Sequence, residues 1–302
     1  MNCRKTMAGA LDAAVLGIFR RARYHQELGD RYMAYANGML PKAFGNCYRA
    51  FLEGQLKNYK NLAYLQVQGQ TLLIDMDIIG VDIEANGQKT NQAAFATGLL
   101  WYSIKLLDNI IDENNLKGNE LADFLHAAQE SWASGKTMHG TSEKEHVINA
   151  TACVLNSGYA GRPDGYMRAL TELCDAELGY IYSKRGQKVE HAKAVGKTSA
   201  ELTIRLVEQY MPGYPYGCEE FLIEQGITGK LFDDFKDRRI DREQGGGYEE
   251  SEIRGLAAQG LRHFYRHFKA LPSFRARWRN FNFIVLASLF HAKELLRTKE
   301  KS

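Results

Sequence analysis

The sequence predicts an all-α protein, a single-domain α-helical bundle spanning residues 1–302. Three observations carry that expectation. Only five prolines occur, Pro41, Pro163, Pro212, Pro215 and Pro272, which leaves long stretches free of helix breakers. Within those stretches apolar residues recur at i, i+3, i+4 and i+7, the repeat of one helical face. Strand signals are weak: Thr71–Ile79 and Val81–Ile83 hold some β-branched residues, but no hairpin turn flanks them.

Taken in order, the N-terminus places Arg4 and Lys5 before an apolar run from Met7 to Phe19. A signal peptide needs that order, yet Asp12 interrupts the run and Arg20, Arg21 and Arg23 follow it, so an amphipathic first helix is expected. Phe95, Leu99, Tyr102, Leu106 and Ile110 form the clearest stripe. A second starts near Val195 and continues through Leu202, Leu206, Gln209 and Tyr210, and a third runs through Phe221, Gly229, Phe232 and Phe235. Pro163 with its neighbouring glycines, Met211–Cys218 and Gln244–Gly247 read as inter-helix loops. With no long polar linker and no internal repeat, one helical domain fits best.

Composition narrows the function. A hydrophobic share of 45% supports a sizeable core, and a net charge of +3 gives no basic excess for binding nucleic acid. Cys3, Cys47, Cys153, Cys174 and Cys218 are scattered without a CxxC pair, which argues against structural zinc or a disulfide framework. That usage fits a reducing compartment, and a cytoplasmic location is the expectation. The most apolar stretch, Phe281 to Phe290, is too short to span a bilayer, so no transmembrane segment is expected.

Two acidic motifs stand out. Asp108 and Asp112 are four residues apart, so on a helix their carboxylates share a face and repel unless a cation lies between them. Leu106, Leu107, Ile110 and Ile111 surround them, which places the pair at the end of a buried helix. More than a hundred residues on, Asp233, Asp234, Asp237 and Asp241 are interleaved with Lys230, Lys236, Arg238 and Arg239. Magnesium keeps several waters while bridging one or two carboxylates to substrate phosphates, so two facing clusters suit a diphosphate. Each motif alone also reads as a solvated face or an ion-pair ladder; the two together are what point to a site.

These motifs resemble the class I isoprenoid synthase superfamily, comprising trans-prenyltransferases, squalene and phytoene synthases and class I terpene cyclases. The run Gly229-Lys-Leu-Phe-Asp233-Asp-Phe-Lys-Asp237 is similar to the second motif of trans-prenyltransferases, with Lys230 in place of a glutamine. Asp108-Asn-Ile-Ile-Asp112-Glu113 resembles the first motif of the squalene and phytoene branch. Gly196-Lys197-Thr198 is similar to a lysine–threonine pair that contacts diphosphate. Over Ser103–Ala122 and Cys174–Gln244, including Ser183-Lys184-Arg185, the chain resembles farnesyl-transferring enzymes of the moenomycin type. The resemblance covers about a third of the chain.

The resemblance implies a bundle of the class I isoprenoid synthase type around a central active-site cavity. Asp108, Asp112, Asp233, Asp234 and Asp237 would hold Mg2+ and act in catalysis, and Lys197, Lys236 and Arg185 would contact diphosphate. Lys236 pairing with Asp233 and Arg185 capping a helix C-terminus are the alternatives. Phe95, Tyr102, Ser103 and Phe232 would line the substrate pocket, with Tyr180 and Phe235 nearby; aromatic stripes are otherwise ordinary core. The substrate would be an allylic prenyl diphosphate of farnesyl or geranylgeranyl length, and relatives are often homodimers. The basic N-terminal segment and the double arginine that bind isopentenyl diphosphate in chain elongators are missing. Transfer to another acceptor, or cyclisation, is therefore expected; head-to-head condensation and a non-catalytic subunit remain alternatives.

Overall fold

The computed structural model describes residues 2–44, 59–138, 143–157, 164–184, 186–243 and 250–284. Among them every regular element is an α-helix. The order is α1 (Asn2–Phe44), α2 (Tyr59–Ile79), α3 (Gly87–Asn114), α4 (Gly118–Ser134), α5 (Glu143–Ser157), α6 (Asp164–Ile181), α7 (Lys188–Tyr210), α8 (Glu219–Glu243), α9 (Glu250–Ala270) and α10 (274–284). Thr71–Ile79 belongs to α2, so its β-branched residues are absorbed by a helix whose buried face they fill. Met211–Cys218 is the turn between α7 and α8, with left-handed backbone at Gly213, Tyr216 and Gly217. Pro163 and Gln244–Gly247 lie outside the described residues, as does Phe281–Phe290 beyond its first four positions. No described helix is long and apolar enough to cross a membrane.

α3 and α7 bury two faces each. One core joins α1, α2 and α3 through Tyr32, Leu73, Phe95, Leu99 and Tyr102. A second joins α3 to α4, α5, α6 and α7 through Leu100, Leu107, Trp132, Leu170 and Leu206. A third, smaller cluster, centred on Ala192, Leu231 and Leu256, seats α8 between α7 and α9.

Glycines set the closest crossings. A Cβ on Gly98 of α3 would lie 2.7 Å from the Leu65 carbonyl oxygen of α2. A Cβ on Gly196 of α7 would lie 2.7 Å from both the Gly226 oxygen and the Ile227 Cα of α8. In return, a Cβ on Gly226 would overlap the Gly196 oxygen and stand 2.9 Å from Ala200 Cβ. The nearest obstacle to each is backbone, so a side chain here must push the helices apart.

α10 is tied to α1 and α2 by charge. Asp77 of α2, 5% exposed, pairs with Arg21 of α1, while His25 Nε2 lies 3.3 Å from its carboxylate. Arg279 of α10 donates to the Asp77 carbonyl oxygen. Burial, reinforced by Arg21 and Arg279, lowers the His25 pKa to about 4.

Two outcomes follow. Gly196→Ala and Gly226→Ala should each cost about 1–3 kcal/mol in urea unfolding, as overpacking does. Gly229→Ala, three residues further along α8 where nothing lies within 4 Å of a new Cβ, should be neutral or stabilise by about 0.5–1 kcal/mol. Second, His25 stays neutral in the fold down to about pH 4 but takes a proton near pH 6.5 when unfolded. Stability is therefore full above about pH 6.5 and falls as pH drops towards about 4, by up to about 3 kcal/mol. Urea midpoints at about pH 7 and about pH 4.5 should fall further in the wild type than in His25→Gln.

Candidate functional site

α3 ends just after the first acidic motif. Asn115 closes it in the left-handed conformation (φ 51°), and the Leu116 N–H returns to the Ile111 carbonyl. Asp108, Asp112 and Glu113 thus occupy the last turns, which carry no basic residue at the helix end. A helix C-terminus bears partial negative charge and disfavours carboxylates. Burial first, and then Asp108, raise the Asp112 pKa. Lys105, one turn back, pairs with Asp108.

The second motif faces this end across a cavity of about 350 Å³. Asp108 of α3 and Asp233 of α8 both line it. They also act on a common neighbour: burial raises the Tyr64 pKa, and the charges of Asp233 and Asp108 add to the shift. The structure therefore brings together the two motifs that lie far apart in sequence. Asp234, 5% exposed, is held by Lys230 Nζ at 2.9 Å and by the Tyr180 hydroxyl at 3.0 Å. Lys230 also sits 4.4 Å above the Tyr180 ring. Burial alone would lower the Lys230 pKa, but Asp234, Tyr180 and Glu177 outweigh it and hold the ammonium form. Glu177 of α6 completes the rim, its own pKa raised by burial and by Asp108 and Asp234 against Lys230.

One end of the cavity is lined by Asp108, Glu177 and Asp233 with Lys105 and Lys230; Asp112 and Asp234 are not in its lining and are linked to it through Asp108 and Lys230. That end is exposed at Asp108 and Asp233, whereas the inner wall of Leu107, Trp132, Leu170, Leu173 and Val195 is buried. Cys174 lines the same wall, and burial pushes its thiol up to about 12. It is a neutral wall group, not a nucleophile.

Several expected residues stand elsewhere. Phe95 and Tyr102 lie in the core facing α1 and α2, and Ser103 donates to the Thr151 hydroxyl of α5 at 2.6 Å. Phe232 is 38% exposed, its ring against Gly260 of α9. None of the four lines the cavity; on α3 its wall is Trp101, Ile104, Lys105, Leu107, Asp108 and Ile111. The reason is helical phase. Counting back from Asp108 by three, four and seven gives Lys105, Ile104 and Trp101, whereas Phe95 and Tyr102 follow the opposite stripe. Lys197 is displaced for the same reason. Val195 and Ser199 face the cavity, and a residue two positions from each lies about 200° round the helix. Lys197 is exposed and pairs with Glu201 at 3.6 Å. Arg185 and the side chains of Lys236 and Asp237 lie outside the described residues.

Glu177 is not singled out by the sequence pattern, and Lys230 stands there only as one of the basic residues interleaved with the motif and in place of a glutamine. The available signal was spacing: Lys230 is four residues before Asp234 and three before Asp233, which puts it on their face. Among the described residues no three His, Cys, Asp or Glu groups converge as a protein-only metal cage requires. Magnesium held between one or two carboxylates and substrate phosphates needs no such cage. Paired carboxylates at a helix C-terminus, with Asp233 across the cavity, fit that mode. No family model, no curated protein and no solved structure matches the chain.

The Lys230–Asp234 pair gives a direct test. Lys230→Met leaves Asp234 buried with only the Tyr180 hydroxyl of the two contacts above, and should cost about 3–5 kcal/mol in urea unfolding. Lys230→Met combined with Asp234→Leu should recover most of that loss, because no charge is then stranded.

Proposed function

We propose that this chain ionises an allylic prenyl diphosphate of farnesyl or geranylgeranyl length and passes the prenyl cation to an acceptor other than isopentenyl diphosphate, or cyclises it. The bundle is then of the class I isoprenoid synthase type. One observation carries this reading: two acidic motifs on α3 and α8 flank the same cavity, charged at its exposed end and apolar within. An amphiphile with an anionic head and a hydrocarbon tail matches that polarity, and the volume lies in the range of about 300–1,000 Å³ typical of ligand sites.

Asp108 and Asp112 from one side and Asp233 from the other are the residues that would hold magnesium, which supplies positive charge to the departing diphosphate. Asp234 is engaged by Lys230 and positions it. Lys105 and Lys230 donate hydrogen bonds to the diphosphate oxygens as negative charge gathers on them. The buried wall of Leu107, Leu170, Leu173 and Val195 keeps water from the cation. Trp101, Trp132, Tyr64 and Tyr180 add aromatic faces to the lining, each worth about 0.5–2 kcal/mol to a nearby cation.

The purified chain, given magnesium and farnesyl diphosphate, should release diphosphate, and a chelator should stop it. Asp108→Asn and Asp233→Asn should lower kcat by about 100-fold or more, the loss seen when one stabiliser of developing charge is removed. Lys197→Ala should stay within about twofold of the wild type, since its side chain lies outside the cavity. Unchanged turnover in Asp108→Asn would exclude the assignment.

A further inference from the structure

α10 carries two unlike faces. Its inner face is held by specific contacts. Asn280 Nδ2 lies 3.0 Å from His267 Nε2 of α9, and Arg279 reaches Asp77 of α2. The Phe283 ring meets His25 of α1 edge-on, and Ala276, Asn280 and Asn282 are buried. The outer face runs through Phe274, Trp278 and Phe281, at i, i+4 and i+7, one stripe of a helix. That stripe is aromatic and open to solvent: Phe274 is 83% accessible, and Trp278 and Phe281 are exposed. The Trp278 and Phe281 rings stack with centroids 5.7 Å apart, so the stripe is a continuous ridge.

Positive charge surrounds the ridge. Residues 253–284 include seven Lys or Arg and no Asp or Glu, in a chain whose net charge is only +3. The remainder is therefore net negative, and the basic excess is local to α9 and α10. Arg279 and Arg266 meet Asp77 and Glu224 from neighbouring helices. Arg275 and Arg277 instead fall on either side of the aromatic stripe, at about 100° per residue. Arg277 is held there by its own hydrogen bonds: Nε donates to the Leu271 carbonyl and Nη2 to the Lys269 carbonyl, both at 3.2 Å. An exposed aromatic ridge marks a docking surface, and its partner must be apolar where the rings enter and anionic around them.

We propose that α10 docks on an anionic lipid bilayer, laying Phe274, Trp278 and Phe281 into the interface with Arg275 and Arg277 at the headgroups. Aromatic rings settle at the headgroup–acyl boundary, and arginines beside them stay with the lipid phosphates. Two other occupants fit less well. A two-fold contact with a second copy would bring two sets of arginines together, with no acid in the segment to neutralise them. Single-stranded nucleic acid stacks its bases on open ring faces, and Trp278 and Phe281 each turn one face to the other. The helix lies on the bilayer and does not cross it, since no described helix is long and apolar enough to span. This surface stands apart from the ionisation reading, and either can hold without the other.

Vesicle sedimentation with the full chain tests this. The chain should sediment with phosphatidylcholine vesicles containing about 30 mol% phosphatidylglycerol and stay in solution with phosphatidylcholine alone. Salt at about 1 M, which screens charge beyond about 3 Å, should release it. Arg275→Gln should weaken binding about fivefold, the share of one basic residue at an anionic surface. Phe274→Ser combined with Trp278→Ser should weaken it about tenfold or more, and thermal unfolding checks that this exposed pair leaves the fold intact. Lipid brominated along its acyl chains should quench the wild type and not Trp278→Phe, whose remaining tryptophans, Trp101 and Trp132, line the cavity. No sedimentation, equal sedimentation with neutral vesicles, unchanged binding by the folded double variant, or quenching that persists in Trp278→Phe would overturn the proposal. So would a dimer, or a preference for a uridine oligonucleotide over vesicles, that the double variant abolishes.

Discussion

The close crossing of α7 and α8 at Gly196 and Gly226 is the constraint on which the site depends. It lets two backbones meet where any side chain would collide with a carbonyl oxygen or a Cα. From Gly226 the chain needs four residues to reach Lys230 and seven to reach Asp233, one and two helical turns. Those side chains inherit their position from the crossing. A wider separation would withdraw the lysine from Tyr180 and Glu177 on α6, and the aspartate from the cavity it shares with α3. Ala200, one turn beyond Gly196, extends the small-residue contact, and Ser199 beside it lines the cavity.

The electrostatics of the rim follow from that geometry. Carboxylates crowd an end of α3 where the helix dipole already opposes them, and burial adds to the strain at Asp112 and Glu177. The protein offsets this with two lysines placed differently. Lys230 is fixed between a buried aspartate and an aromatic face, a permanent part of the wall. Lys105 and Asp108 are each about half exposed, at 43% and 54%, and an exposed pair of this kind contributes little to stability. Such a pair separates at low cost when a stronger cation or anion arrives. The rim thus combines one rigid cation with one that can be redirected.

Sequence periodicity is enough for the helical class, and residue spacing is enough to single out the two acidic motifs whose Asp108 and Asp233 line one cavity. Thr71–Ile79 shows that even β-branched segments follow the longer helical pattern when one face is buried. Which stripe of a helix faces the cavity is not fixed by periodicity alone. The stripe Phe95, Leu99, Tyr102 was visible but belongs to the core facing α1 and α2, and the cavity wall is the face that carries Asp108. Lys197 stands in a short glycine–lysine–threonine motif, but Val195 and Ser199 on either side of it are the residues that line the cavity. Fixing the phase from the carboxylates would have selected Lys105, Trp101 and Lys230. Glu177 was not legible, since nothing near it in sequence relates α6 to either motif.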